Sequence, residues 1–415
     1  MSKSGLNNRK VKTLISLFSG AGGLDIGLAE AGFDVRLCVE IDEDAQETIR
    51  INHPGWALAS PGDIHELTPE NILRQAGLKP KELTLLAGGP PCQPFSKSGY
   101  WASGDSARLD DPRSNTLAAY LSVVGEALPE ILLIENVKGI NFKNKNEGMC
   151  YLLEGLGKIN QISGVKYSPQ IFNLNAADYG VPQLRERVFI IAHREGLEFQ
   201  LPKPTHMSDE ELSFTTPADH HRTVWDAIGD LDSAVWSEDL NIQGKWQDLL
   251  PSIPEGQNYQ WHTERSGGKS IFGWRTRFWS FLLKLSKNKP SWTIQAQPGP
   301  ATGPFHWKSR QLSIRELARI QTFPDHIEFS GSRRSAIKQI GNAVPPAIGE
   351  LFGLEFCRQF FKENVRTTLQ LIPKKRKDCP GPERCKPVPL KYLDLIGEYA
   401  DHPGTGKGPG AVLRK

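Results

Sequence analysis

"KTLISLFSGAGGLDIGLAEAGFDVRLCVEID", residues 12–42, decides the fold. Residues 12–18 are apolar and β-branched enough for a strand buried on both faces. They run into Gly20, Gly22 and Gly23, after which Leu24, Ile26, Leu28 and Ala29 take up a helical period. A second apolar run ends at Glu40, and "EDAQETIRINH" (43–53) follows as a helix. Strand, tight turn, helix, strand, helix is a βαβ succession, which builds a mostly parallel sheet. "ELTLLAGGP" (82–90), "PEILLIENV" (129–137) and "RVFIIAH" (187–193) have the same form, each a short apolar core beside Gly, Pro or a charge. The predicted class is α/β, with ligands gathered at the carboxyl ends of the strands.

From about residue 200 to 310 the pattern changes to many Trp, Pro, Ser and His residues with short apolar islands such as "FWSFLLKL" (278–285). This reads as a smaller irregular domain. "SIRELARIQTFP" (313–324) resumes a helical pattern that Pro324 stops. "IGELFGLEFCRQFFKEN" (348–364) reads as an amphipathic helix, with Phe352, Phe356 and Phe360 on one face, able to pack back on the first domain. The expected division is 1–200, 201–340, a returning segment 341–370, and an appended tail 371–415 rich in Pro, Gly and basic residues.

Across 415 residues, 50 Lys plus Arg stand against 47 Asp plus Glu, so a nucleic-acid partner would need a local basic patch and not a global excess. The apolar and charged fractions suit a globular chain and argue against wholesale disorder. No run approaches a membrane span and the polar start lacks a secretory core, so no membrane partner and a cytoplasmic location are expected. Six scattered cysteines form no disulfide framework, which leaves a singled-out thiol free for chemistry. Cys379 and Cys385 supply only half of a tetrahedral ligand set, so no metal is assigned.

The glycines at 20, 22 and 23 let a ligand approach backbone N–H groups, but their spacing matches neither the full dinucleotide fingerprint nor the phosphate-binding loop. An adenosine-containing ligand without a pyrophosphate fits, as does a turn that needs glycine for shape alone. Glu40 stands where an acid can accept hydrogen bonds from ribose hydroxyls, and a solvated acid is the equally simple reading. In "GGPPCQPFSKSG" (88–99), Cys92 sits between a stiff proline side and a loose serine side.

Nine ordered blocks resemble those of the DNA (cytosine-5)-methyltransferases: "FSGAGG" (18–23), "VEID" (39–42), "GDI" (62–64), "GGPPCQPFS" (88–96), "DPRSNTL" (111–117), "ENV" (135–137), "YGVPQLRERVFI" (179–190), "RELARIQTFP" (315–324) and "GNAVPP" (341–346). They cover roughly residues 12 to 365, apart from a variable region between about 200 and 305. One Pro-Cys pair would be weak, whereas this many blocks in order are specific. The resemblance implies an S-adenosyl-L-methionine-dependent methyltransferase fold, with Phe18, Gly20, Gly22, Gly23, Leu24 and Ile41 around the cofactor and Glu40 on its ribose. Asp63 and Ile64 would hold the adenine, and Pro90, Asn342 and Ala343 would approach from other blocks. It departs at Ser16, where many members carry an acid near the methionine part of the cofactor.

The resemblance also implies that Cys92 attacks cytosine C6, that Glu135 hydrogen-bonds N3 and the exocyclic amine, and that Arg185 binds O2. Arg187 would support the nucleophile loop or its phosphate contacts. The base must leave the duplex to be reached. Ser96, Arg108 and Arg113 in the loop after Cys92, and Arg275 and Arg277 in the variable region, are the candidate contacts to double-stranded DNA. Trp261, Arg265, Trp274 and Trp279 lie near that second pair; each tryptophan reads first as core of the small domain. Residues 333, 334 and 374–377 are further phosphate candidates. A monomer is expected, protecting DNA beside a separately acting restriction endonuclease. Transfer RNA methylation by the same chemistry, or a catalytically silent DNA-binding protein, are the competing readings.

Overall fold

The computed structural model describes residues 11–90, 115–136, 147–210, 212, 218–273 and 279–397. In chain order, β1 (Thr13–Leu17), α1 (Gly23–Glu30), β2 (Asp34–Val39), α2 (Glu43–Asn52), α3 (Pro69–Ala76), β3 (Leu85–Gly88), α4 (Asn115–Ala127) and β4 (Ile131–Asn136) repeat one strand-and-helix unit. Then come α5 (Glu147–Ser163), β5 (Gln170–Asn175), β6 (Gln183–Leu184) and β7 (Glu186–His193). Six strands form one sheet in the order β2-β1-β3-β4-β7-β5. The pairs β1–β2, β1–β3 and β3–β4 are parallel, while β7 runs antiparallel to both β4 and β5.

Strand alternation sends successive residues of β1 into two cores. Leu14 joins Leu28, Val35, Leu85, Leu133 and Phe189 on one face, whereas Ile15 and Leu17 join Leu37, Ile72, Leu86, Tyr120 and Leu132 on the other. Both faces are therefore covered, which is why these strands read as unbroken apolar runs.

The later elements are β8 (His206–Met207), β9 (Asp219–His220), α6 (Val224–Ile228), β10 (Ser291–Trp292), α7 (Ile314–Ile320), α8 (Arg333–Asn342), α9 (Pro346–Gln359) and α10 (Leu390–Leu393). Helix α9 returns to the first sheet and packs on α1, as its phenylalanines suggest. The crossing is close enough that a Cβ on Gly27 would lie 1.9 Å from the Pro346 carbonyl oxygen. One correction concerns its character: every residue from Pro346 to Cys357 is buried, so α9 is an interior helix and not an amphipathic one. Its Glu350, also buried, accepts hydrogen bonds from Arg366 and from the N–H groups of Gln370 and Leu371.

The appended tail also needs correcting. Residues 371–397 lie along the irregular region: the Arg376 N–H donates to Asp226, buried Lys287 pairs with Glu255 and Glu383, and fully buried Tyr392 stacks on Trp246. Tyr392 belongs to a separate apolar cluster with Leu249, Ile253, Tyr259, Phe272 and Leu282. The tail looks structureless in sequence because its stabilising partners lie about a hundred or more residues away.

Candidate active site

A cavity of about 640 Å³ opens at the carboxyl ends of the parallel strands, within the roughly 300–1,000 Å³ usual for small-molecule sites. Phe18, Gly20, Gly23, Leu24, Glu40, Ile41, Pro90, Asn342 and Ala343 all line it. The β1–α1 turn is built on left-handed backbone at Phe18 (φ 58°), Gly20 (φ 55°) and Gly22 (φ 75°). A left-handed phenylalanine costs of order 1–3 kcal/mol, a strain typical of ligand-holding turns. Glu40 accepts hydrogen bonds from the N–H of Gly20 (2.7 Å) and of Asp42 (2.9 Å), which fixes its carboxylate at the cavity wall. Burial raises its pKa despite those bonds.

Three of the expected cofactor residues stand off the wall. Gly22 caps α1 and faces the Trp56 ring. Asp63 caps the short turn that follows it, accepting from the His65 N–H at 2.9 Å, and Ile64 is buried with Leu17 and Val39 in the core. The wall also includes Ser16, Asp25, Asp42, Asn136, Lys338 and Gln339, which sequence reading did not single out as ligand contacts. Lys338 pairs with Asp42 at 2.6 Å, joining α8 to the start of α2. Ser16, Asp42 and Asn136 carried local signals, Ser16 as the departure before Leu17-Phe18, Asp42 in "VEID" and Asn136 in "ENV"; the Asn136 amide donates to the Pro90 carbonyl at 3.4 Å and ties that segment to β4.

Glu135, one residue from the end of β4, meets Arg187 at the start of β7, with Nε to Oε1 at 2.8 Å. Both line the cavity. Burial pushes the Glu135 carboxyl pKa upward, and the two nearby arginines only partly offset that shift. The result is a buried carboxyl group held beside a fixed cation.

Arg185 corrects the expectation made for it. Its side chain is fully buried and does not line the cavity. Nη2 donates to the carbonyls of Gly341 (2.7 Å) and Ala343 (2.9 Å), and Nη1 to Gln183 Oε1 and the Ile294 carbonyl (both 3.4 Å). Gln321 also donates to Ile340 and Ala343 carbonyls. Arg185 thus clamps the "GNAVPP" backbone, and Arg187 is the arginine that faces the cavity.

Cys92, Ser96, Arg108, Arg113, Trp274, Arg275 and Arg277 lie outside the described residues. Trp261 packs at the edge of the small apolar cluster, and Trp279 is 45% exposed against Trp292. Arg333 is engaged by Glu238 and the Leu312 carbonyl, and Arg376 by Asp226 and Asp230, so both have structural partners; Arg334 is exposed. Among the described residues no group of three or more His, Cys, Asp or Glu is placed to hold a metal, and no helix is long and apolar enough to cross a membrane.

The profile of the family described as C-5 cytosine-specific DNA methylase matches residues 12–355. Type II methyltransferase M.SacI of Streptomyces achromogenes is 38% identical over 364 residues, covering 81% of this chain and 90% of that protein. Type II methyltransferase M.AquIA of Picosynechococcus is 41% identical over 229 residues, covering 54% and 90%. A prophage-encoded E. coli protein assigned as a DNA modification methyltransferase superposes with a TM-score of 0.56 at 25% identity, over 84% of this chain and 99% of that one. The fold, the ordered blocks and a profile match spanning both ends of the cavity agree: this chain belongs to the C-5 cytosine-specific DNA methylase family.

Proposed function

We propose that the protein methylates C5 of cytosine within one specific duplex DNA sequence, with S-adenosylmethionine as methyl donor, as the protective partner of a separate restriction endonuclease. The observation that carries this reading is the Glu135–Arg187 pair facing the same cavity as Glu40. The cavity fits the cofactor: its volume is adequate, the glycine turn lies against it without side chains in the way, and Glu40 stands on its wall to meet ribose hydroxyls. When bound, S-adenosylmethionine supplies an electrophilic methyl group.

The remaining chemistry belongs to this chain. A cytosine inside a duplex presents only its edges, so the base must be turned out of the stack before a thiolate can approach C6. Pro90, held to β4 through Asn136, delivers the segment that carries Cys92. Addition of the Cys92 thiolate to C6 moves electron density to C5, making a carbon nucleophile that the unactivated ring lacks. Glu135, whose pKa is raised by burial, hydrogen-bonds N3 and the exocyclic amine, for which it must carry or share a proton, and draws charge out of the ring. Arg187 takes the O2 contact that sequence reading assigned to Arg185, since only its guanidinium reaches the cavity. Loss of the C5 proton and β-elimination then release Cys92 and restore the aromatic ring. Ser96, Arg108, Arg113, Arg275 and Arg277 remain the proposed DNA contacts.

Incubation of the purified protein with labelled S-adenosylmethionine and separate pools of duplex DNA and transfer RNA, followed by mapping of modified bases, tests the assignment. Label at the C5 of cytosine in one recurrent DNA sequence is expected; label in transfer RNA alone refutes the substrate. Duplex carrying 5-fluorocytosine at that position should form a denaturation-resistant complex, which Cys92→Ala abolishes.

A further inference from the structure

Trp292 and Trp279 hold their rings in water and not in a core. They are 40% and 45% exposed, whereas Trp307 is fully buried. The two rings meet at 4.6 Å between centroids with their planes 65° apart. A single exposed apolar side chain is ordinary, but two tryptophans in contact make an aromatic surface of the kind that marks an interaction site.

The backbone beneath them is held. Trp292 lies on β10 opposite Leu184 of β6. On either side of it the Ser291 N–H donates to the Pro182 carbonyl, the Thr293 hydroxyl to the Leu184 carbonyl at 2.7 Å, and the Ile294 N–H to Gln183 Oε1 at 3.0 Å. Asn258 donates to the Trp279 carbonyl. Paired strands lie about 5 Å apart and three residues span at most about 11 Å, so the Trp292 Cα is within about 16 Å of that of Arg187 at the cavity wall. Successive nucleotides of one strand are about 3.4 Å apart along a duplex, so DNA that delivers a cytosine to Arg187 passes within about five base steps of Trp292. Residues 265–315, which carry both tryptophans, contain ten Lys or Arg and no Asp or Glu, a charge balance that attracts phosphates.

Turning a cytosine out of a duplex strips its neighbours and its former partner of a stacking face. An aromatic side chain replaces that face for any base, because every base has one. We propose that Trp292, braced by Trp279, is a positioning residue that stacks on a base bared by this extrusion and so holds the opened duplex during methyl transfer. This rests on the reading of duplex DNA as the substrate.

The probe is a duplex carrying the sequence found by mapping of the methylated base, with 2-aminopurine placed in turn opposite the target cytosine and on either side of it. This base fluoresces when unstacked and is dark when stacked. With S-adenosylhomocysteine present, one position should be dark with wild-type protein and bright with Trp292→Ala. Anisotropy should show that variant binding the duplex about 5- to 150-fold more weakly, with its affinity for S-adenosylhomocysteine unchanged. Trp292→Phe should keep the dark signal and most of the affinity, whereas Trp292→Leu, apolar but without an aromatic face, should not. Unchanged signal and affinity in Trp292→Ala, or rescue by Leu equal to that by Phe, overturns the stacking role. Should the Ala variant not fold, the comparison of Phe with Leu decides. If Trp292→Ala converts a dimer to a monomer in sedimentation while DNA affinity stays the same, the surface joins two copies of the chain and the proposal fails. Wild-type protein that binds no duplex, or labels transfer RNA alone, defeats the substrate reading itself, an outcome distinct from a failure of Trp292.

Discussion

Replacing Arg185 and Arg187 separately by Ala should produce opposite phenotypes. Arg185 is fully buried and gives its Nη groups to three carbonyls and one amide oxygen. Ala343 retains a bond from Gln321 after the change, but the Gly341 carbonyl loses a charged donor at 2.7 Å and a large side-chain volume is emptied. Charge-assisted bonds contribute about 1.5–3 kcal/mol each, and breaking a buried charged network typically costs about 3–5 kcal/mol in all. Arg185→Ala should therefore lose about 3–5 kcal/mol of stability in urea unfolding followed by tryptophan fluorescence. Among the described residues, Arg187 meets Glu135 and the carbonyl of Glu186 at the cavity wall. Arg187→Ala should keep most of the stability and lose about 10²–10³-fold in kcat, as removal of an oxyanion-stabilising donor does. An Arg185→Ala protein of wild-type stability, or an Arg187→Ala protein of wild-type turnover, refutes this division of roles.

Three further outcomes follow from named groups. The Asp25 pKa rises from 3.8 to about 7 on folding, so the folded state holds the proton more tightly and stability from this group falls as pH rises from about 4 to about 7. In cofactor-free protein, Asp25→Asn should remove that decline, worth about 4 kcal/mol at most, and parallel wild-type and variant unfolding curves across this pH range would contradict it. Glu135→Gln keeps a donor but cannot hand over a proton; kcat should fall by at least about 10²-fold with S-adenosylhomocysteine binding unchanged, and a variant that turns over normally removes Glu135 from the proton path. Tyr392→Ala should cost about 3–5 kcal/mol and expose the small apolar cluster to limited proteolysis, whereas an unaffected cleavage pattern would mean the C-terminal segment does not support that region.

The sequence by itself determined the repeated strand-and-helix units, and with them the places of Glu40 and Glu135 at strand ends. Periodicity and turn chemistry act within a few residues, so β1, its glycine turn and the acid after β2 are legible from their own stretch. The tertiary structure decided which arginine meets the cavity. Alternation along one continuous strand would point Arg185 and Arg187 the same way, but the strand breaks between them: β6 pairs with β10, while β7 pairs with β4 and β5. Asp25 likewise reads as an ordinary first-turn acid until Ser16 and Glu40 close around it. The segment from 371 to 397 lacks periodicity, and Asp226, Trp246 and Glu255 order it from afar. In each case the deciding partner is distant in the chain or set by how separate elements meet, which local patterning cannot specify.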